Sequence, residues 1–511
     1  MEKVSPTRAD RKASSLLRQL AIFVLIIFAL QRLYSQHRGH RSSAAIRKHS
    51  NASIRYPPER GYTLLYHESW AKLATALEIA RPRMSGKLKT SRNVPGKSAE
   101  FLLEEDEDDD AGEDVVPIDI KSITALGIHH KRFVQSIEEK EIGVVYKHTK
   151  RGIVITGGLE DFPRILIQLR LLRRTNSKLP VEVALLEEDD YNQEVCLKLF
   201  APLNARCLIL EHLMSHKPLP FVHDRKARRT INSNEPLHKL LAMFFSSFEE
   251  VLLLGPDTLV YNKPDSVFSE EPFLSKGLVL WPDFWAATVS PKMSKIQHKT
   301  IPSTLDATRT IDLGQMIISK AAGGKALLLA IYYTYYGNGL YDVLLKQSKV
   351  GEAGSQAIKA AARFFETDFY MVKRYVEAVG YPDKDESRQS FRGVAMLQAL
   401  PLEDYHKQHK DRHIPAFIRA NNPPLNPLTI MKAGVTSFSK SEDEAHRMWE
   451  WFGGRYASNG WRDPDPERAL WAEIGEVACR DLTSVPLFAK AALLACPEID
   501  IHREKLGFKQ P

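Results

Sequence analysis

Cysteine is scarce in this chain: Cys196, Cys207, Cys479 and Cys496 are the only four in 511 residues. None stands in a Cys-x-x-Cys or Cys/His zinc spacing, which excludes the common zinc modules. They fall in two pairs close in sequence, so local disulfides in an oxidising compartment and buried free thiols are both open readings. One-sided charge is lacking too. Lys and Arg number 71 against 63 Asp and Glu, a formal +8. The basic residues are dispersed, with no aromatic-interleaved stripe and no nucleic-acid module pattern, so acidic small molecules or membrane surfaces are expected as partners and nucleic acid is not. Internal repeats are absent.

Long apolar runs are few, and the one that matters is near the start. "LLRQLAIFVLIIFALQRLY" (residues 16–34) has an uncharged centre, residues 20–30, edged by Arg18 and Arg32. That centre is shorter than the roughly 20 residues of a usual span, but snorkelling arginines and the outer leucines extend it. The small residues of a signal cleavage site are missing from the "QRLYSQHRGHR" that follows. An uncleaved signal anchor is therefore expected, making the chain a single-pass membrane protein. Basic residues balance on its two sides, Lys3, Arg8, Arg11 and Lys12 against Arg38, Arg41, Arg47 and Lys48, so charge does not set its orientation. The sequon Asn51-Ala52-Ser53 suits a lumenal stem.

What is present is an ordinary globular composition, 43% hydrophobic and 26% charged, enough to bury a large core in about two or three domains. Residues 35–140 read as a stem. "YTLLYHESWAKLATALEIA" (residues 62–80) and "ITALGIHHKRFVQSI" (residues 123–137) have helical apolar spacing. The acidic run at residues 104–110 lacks the glycine and ligand spacing of a calcium loop and reads as a solvated linker. From Arg151 the pattern changes. "GIVITGG" (residues 152–158) is a strand, "FPRILIQLRLLRRT" (162–175) an amphipathic helix opened by Pro163, and "LPVEVALL" (179–186) a second strand. "PLHKLLAMFFSSF" (236–248) predicts a helix; "EEVLLL" (249–254) and "GLVLWPDFW" (277–285) predict strands. Alternation of this kind with near-continuous apolar strands predicts an open, mostly parallel α/β sheet with helices on both faces. Ligands bind such sheets beyond the carboxyl ends of the strands.

Several residues stand at those ends. Gly157 and Gly158 close the first strand, where glycine allows a ligand to approach the backbone or only makes a tight turn. Gly255-Pro256-Asp257 closes the "EEVLLL" strand; alone, it is first of all a turn. Trp281 and Trp285 flank Asp283, where rings stack on an acceptor sugar and the carboxylate binds its hydroxyls, or where the tryptophans pack in the core. His223 and Asp224 lie in the basic stretch "FVHDRKARR", which reads as a solvated loop rather than an acid/base pair.

Taken in order, "RGIVITGG", "LRLLRRTNSKLPVEV", "KLLAMFFSSFEEVLLL", "TLVYNKPDSVFSEEPF", "LVLWPDFWAATVSP", "LGQMIISK" and "PAFIRANNPPLNP" resemble the fungal α-1,3-mannosyltransferases of glycosyltransferase family 71, from about residue 146 to 427. The resemblance implies a type II Golgi membrane protein: cytosolic tail 1–15, anchor 16–34, stem 35–140, GT-A-like domain 141–430 and packed C-terminal extension 431–511. It implies mannose transfer from GDP-mannose to an α-mannoside of a glycoprotein or cell-wall glycan, with retention, Mn²⁺ as cofactor, and other Golgi mannosyltransferases as partners. A divalent cation on carboxylates would stabilise the departing diphosphate.

Carried over by position, the family's Asp-x-Asp falls on Gly255-Pro256-Asp257, leaving Asp257 as the one metal carboxylate. "DLGQ" (residues 312–315) resembles its Glu-x-Gly-Gln, and "GEAGSQAI" (351–358) keeps only Gly351 and Glu352 of a Gly-Glu-Gly-Asp-Lys segment. "FIRAN" places Arg419 where a His is common. Asp312, Gln315 and Glu352 are thereby implied as catalytic, and Gly157, Gly158, Lys239, Asp257 and Arg419 as donor-binding. Trp281, Asp283 and Trp285 stand as acceptor-binding candidates. Because Arg pairs bidentately with phosphate, the departures are compatible with a divergent enzyme whose metal dependence is altered. They are equally those of an inactive scaffold or binding subunit of a Golgi complex.

Overall fold

The structure is a computed structural model that describes residues 60–508, apart from residues 85, 95–113, 215–234, 300–308, 349–350, 352–353, 375, 386–387, 407–414, 421, 433–446, 450, 453–454 and 457–464. The expected anchor, residues 16–34, lies outside the described residues. Among these, no helix is long and apolar enough to cross a membrane.

The α/β reading from the sequence is what the chain forms. Strands β1 (Lys147–Thr156), β2 (Val181–Leu185) and β3 (Ala205–Ile209) are parallel neighbours, and β4 (Phe248–Leu254) joins β1 in parallel through the register Ile155↔Leu254. Ile153, Val154 and Ile155 of β1 and Val251 to Leu254 of β4 are buried. Helices cover both faces, which is why these strands carry unbroken apolar runs. Helix α3 (Phe162–Arg174) shows the local logic: Pro163 presets its first turn, and Ile165, Leu166, Leu169 and Leu172 bury one face. Arg173 and Arg174 complement its C-terminal dipole.

Past β4 the sheet turns mixed. Strand β7 (Arg309–Ser319) inserts antiparallel between β4 and β6 (Leu278–Ala286), and β8 (Tyr370–Met371) closes the edge, giving the order β3-β2-β1-β4-β7-β6-β8. This is the open, mostly parallel α/β sheet expected, with one antiparallel strand that sequence periodicity did not reveal. A second, antiparallel sheet has the order β13-β12-β9-β10-β11-β5. It is built from β5 (Thr258–Val260), β9 (Glu377–Asp385), β10 (Arg388–Ala399), β11 (Pro415–Arg419), β12 (Trp451–Phe452) and β13 (Arg455–Tyr456). Since β4 belongs to the first sheet and β5 to the second, Gly255-Pro256-Asp257 is the joint at which the chain passes from one to the other.

The two helical patches expected in the stem form α1 (Arg60–Ile79) and α2 (Ile120–Glu138). They are packed into the body rather than standing apart from it. Trp70 of α1 lies 5.6 Å from Phe245 of α4 (Glu235–Phe245). Phe133 of α2 stacks on Tyr332 of α5 (Lys320–Tyr335) at 4.5 Å, and the Tyr332 hydroxyl donates to the Ala80 carbonyl. The C-terminal extension also packs on the domain. Arg170 of α3 donates to both oxygens of Asp481 at 2.7 and 2.9 Å, and Arg174 to Glu473 of α6 (Pro466–Glu476). Both sequence-local cysteine pairs are disulfides, Cys196–Cys207 and Cys479–Cys496, the second tying the segment after α6 to α7 (Pro486–Lys505).

Since Phe133 is fully buried, Phe133→Ala is expected to cost about 3–5 kcal/mol. Chemical unfolding would measure it; a loss below about 1 kcal/mol would show that α2 is peripheral to the folded body.

Candidate functional site

The Gly255-Pro256-Asp257 joint is pinned from three sides. From β7, the Gly314 carbonyl accepts from the Gly255 N–H at 2.7 Å and from the Thr258 hydroxyl at 2.9 Å. On the β11 side, the Ala420 N–H donates to the Asp257 carbonyl at 2.8 Å, continuing the register Arg419↔Thr258. From α3, the Gln168 amide donates to the carbonyls of Gly255 and Thr258. The end of β4, the middle of β7 and the end of β11 are thereby drawn together just beyond the carboxyl end of β4.

Three charges meet there. Arg419 Nε donates to Asp257 Oδ2 at 3.0 Å, and Arg419 Nη1 to Asp312 Oδ1. Asp312 also accepts from the Gly314 N–H at 2.8 Å, Gln315 Nε2 at 2.9 Å and Gln398 Nε2 at 3.0 Å. Its side chain is 0% exposed, against 16% for Arg419. Burial pushes the Asp312 carboxyl up, but Arg419 and the three other donors outweigh it and hold the group below the ordinary carboxylate value. Asp312 is thus an anchor that orients the guanidinium, with both oxygens engaged, rather than a group facing open space. Gly314 makes this possible, because a Cβ there would lie 2.8 Å from Arg419 Cδ and 3.0 Å from its Nε.

The neighbouring candidates divide. Gln315 is buried against Asp312. Lys239 is fully buried and pairs with Glu235 at 2.8 Å. Burial raises the Glu235 carboxyl, and Lys239, then Arg419 and His238, draw it below its ordinary value. His238 lies against the Ala184 carbonyl at 3.1 Å and is pushed down to about 4 by burial, so it is neutral at pH 7. Gly157 and Gly158 have packing reasons of their own: a Cβ on Gly157 would lie 2.8 Å from Ile165, and one on Gly158 would lie 2.9 Å from Asp190.

Trp281 is not an acceptor platform. It is fully buried, donates to the Ala399 carbonyl at 2.9 Å and packs edge-on to Phe417. The period of two that would put it beside Asp283 and Trp285 is broken by an irregular register at Pro282. Asp283 and Trp285 are half-buried and share a neighbour, since a Cβ on Gly351 would lie 3.5 Å from each. The Gln398 amide also donates to the Pro282 carbonyl, so Asp283 is one residue from the Asp312 cluster. Glu352, His223 and Asp224 lie outside the described residues. Gln398, Gln168 and Glu235 went unnoticed in the sequence because no motif marks them. A hollow of about 340 Å³ lined by Glu250, Lys276, Ser319 and Asp368 is at the opposite end of β4 and β7 and is not part of this site.

These side chains do not fit Mn²⁺. The space between the carboxylates of Asp257 and Asp312 is spanned by a guanidinium, and position 255 offers no ligand. Around Asp257 no group of three His, Cys, Asp or Glu side chains could hold an ion among the described residues; the one such group includes the disulfide Cys479–Cys496. Asp257 Oδ1, buried and without a hydrogen-bond partner, is a single acceptor, too little for a divalent site.

The chain matches a family model described as "Mannosyltransferase putative" over residues 150–310 and 305–399. It is 28% identical over 355 residues to alpha-1,2-mannosyltransferase MNN23 of Candida albicans, covering 62% of this chain and 56% of that one. With alpha-1,2-mannosyltransferase MNN2 of Saccharomyces cerevisiae it is 29% identical, covering 55% and 51%. The chain thus spans little more than half the length of these relatives. Among solved structures, core-mannan synthase A of Aspergillus fumigatus in its Mn/GDP form is similar at 10% identity and a TM-score of 0.29, covering 44% of this chain and 73% of that one. The resemblance to α-1,3-mannosyltransferases of glycosyltransferase family 71 is corrected by these relatives, which carry α-1,2 names.

Asp312 supplies a test by pH. Its folded-state carboxyl lies below the ordinary 3.8. Its ionisation therefore stabilises the fold above that value, and the contribution is lost as pH falls through the lower folded value. Asp312→Asn is expected to be several kcal/mol less stable than wild type at pH 7 (about 3–5 for breaking a buried pair). In acid titrations of unfolding the gap is expected to narrow below pH 3.8; a gap constant with pH would refute the ionised anchor.

Proposed function

We propose that this chain is a mannosyltransferase that moves mannose from GDP-mannose to an α-mannoside acceptor and forms an α-1,2 linkage. One observation carries the reading: the family match over residues 150–399 covers β4, β7 and β10 and with them Asp257, just past β4, Asp312 within β7 and Gln398 near the end of β10. The relatives' names supply the sugar and the linkage.

In this reading the bond between mannose C1 and the β-phosphate oxygen breaks, a bond from C1 to an acceptor hydroxyl oxygen forms, and the hydroxyl proton is released. The charge that gathers on the leaving diphosphate faces Arg419, fixed beforehand by Asp257 and Asp312 so that little reorganisation is needed. Asp283 and Trp285 are the acceptor side, where a carboxylate and a half-buried indole together suit a sugar face. The two disulfides support an oxidising, lumenal setting. A Golgi membrane location through the apolar segment at residues 16–34, and association with other mannosyltransferases, belong to the same proposal.

Incubation of the purified full chain with GDP-mannose and α-mannosides, followed by linkage analysis of the product, is the test. An α-1,2-mannosyl product is expected, and Asp283→Asn is expected to raise KM for the acceptor about tenfold or more with KM for the donor little changed. Folded protein that yields no product would overturn the enzyme and favour a binding subunit.

A further inference from the structure

We infer that the cation holding the donor diphosphate in this chain is Arg419, built into the fold in place of a divalent metal, and that Asp257 and Asp312 are its positioning carboxylates. The inference rests on the proposed nucleotide-sugar donor, but it follows from a different observation, the mismatch between the side chains present and Mn²⁺.

The geometry is specific. A metal that serves a diphosphate at a strand end needs carboxylate oxygens around it and an open side toward the phosphate. Here the two carboxylates point at one another across a guanidinium whose Nε and Nη1 each take one of them. The third carboxylate that would complete an ion site is missing at Gly255. A Cβ at that position would lie 2.8 Å from Asp257 Oδ1, so a side chain there would project against the same oxygen. Charge is conserved by the exchange. Counting only the described pair, a guanidinium between two carboxylates carries the same net charge as a divalent ion among three, with one acid and one positive charge fewer.

The remaining features fit a fixed cation better than an exchangeable one. Gly314 leaves room for the arginine stem along β7. Four donors, Arg419 included, saturate Asp312, which leaves it no lone pair to direct at a metal without breaking a buried hydrogen bond. The Arg419 side chain keeps 16% of its surface exposed, and a planar guanidinium matches two phosphate oxygens in a way that a point charge does not.

The test uses the purified full chain stripped with EDTA, with GDP as the probe and Mn²⁺ added or withheld. Calorimetry reads GDP affinity, and electron paramagnetic resonance reads free Mn²⁺. For wild type, GDP affinity, corrected for the Mn²⁺–GDP complex that forms in solution, is expected to change less than about twofold with millimolar Mn²⁺, and the free-ion signal to equal that of the same Mn²⁺ and GDP without protein. Arg419→Ala is expected to weaken GDP at least about tenfold, and Arg419→Lys to recover only part of this because the fork is lost. The double variant Gly255→Asp, Arg419→His is expected to take up Mn²⁺ and to bind GDP in its presence. Thermal melts of each variant separate loss of binding from loss of fold, and the two wild-type arms need no variant.

Uptake of Mn²⁺ by wild type together with GDP, or a rise in GDP affinity of more than tenfold on adding it, would overturn the inference while leaving the mannosyltransferase reading intact. Metal-independent binding of UDP but not of GDP would do the reverse. Failure of GDP, UDP and ADP to bind the folded wild type under either condition would sink both.

Discussion

One guanidinium joins the two sheets of this molecule, and the site depends on it. Arg419 leaves the last position of β11 in the antiparallel sheet and reaches Asp312 on β7 in the mixed sheet, touching Asp257 at the joint between them. A carboxylate taken to 0% exposure is costly unless it is paired and hydrogen-bonded on every side. Arg419, Gln315, Gln398 and the Gly314 N–H together meet that requirement for Asp312. The same contacts fix the crossing of the chain from β4 into β5, so the ion cluster is at once a structural clamp and a place where a guanidinium is held just beyond the carboxyl end of β4.

How much of this could be read from the sequence follows from what each segment must satisfy. β1, β2 and β4 are buried on both faces, so their apolar runs announce them, and α3 is marked by Pro163, its apolar stripe and its terminal arginines. β7 escaped because Asp312 and Gly314 interrupt its apolar run, and those are the residues the site requires. The second sheet escaped for another reason. It is held by antiparallel pairings between segments far apart in the chain, such as Ile418↔Leu259, which local periodicity cannot reveal. Asp257 is marked by its place at a strand end, Asp312 and Arg419 through the resemblance alone, and no rule of spacing shows that the three touch. Gln398 carries no signal at all. Of the two readings open for Trp281, acceptor platform or core, burial decides for the core, and the irregular register at Pro282 sets it apart from Trp285.

The helical patches expected to form a stem teach a related point. Their amphipathic pattern was legible, but a pattern says only that one face must be covered, not by what. The cover is α4 and α5, reached through Trp70, Phe133 and the tyrosines of α5. The buried faces of α1, from Tyr66 to Leu77, and of α2, from Ile123 to Ile137, therefore belong to the core of the body, and a fragment beginning near residue 141 would expose the surface they cover.

The closeness of position 255 to Asp257 Oδ1 also constrains how such a site can drift. An added acid at 255 alone crowds a carboxylate whose only strong cation is already committed, and loss of Arg419 alone strands two buried acids. Each single step is unfavourable, whereas the two together leave three acids whose charge only a divalent ion would offset. Positions 255 and 419 are thus coupled through charge, by way of the Asp257 carboxylate that lies between them.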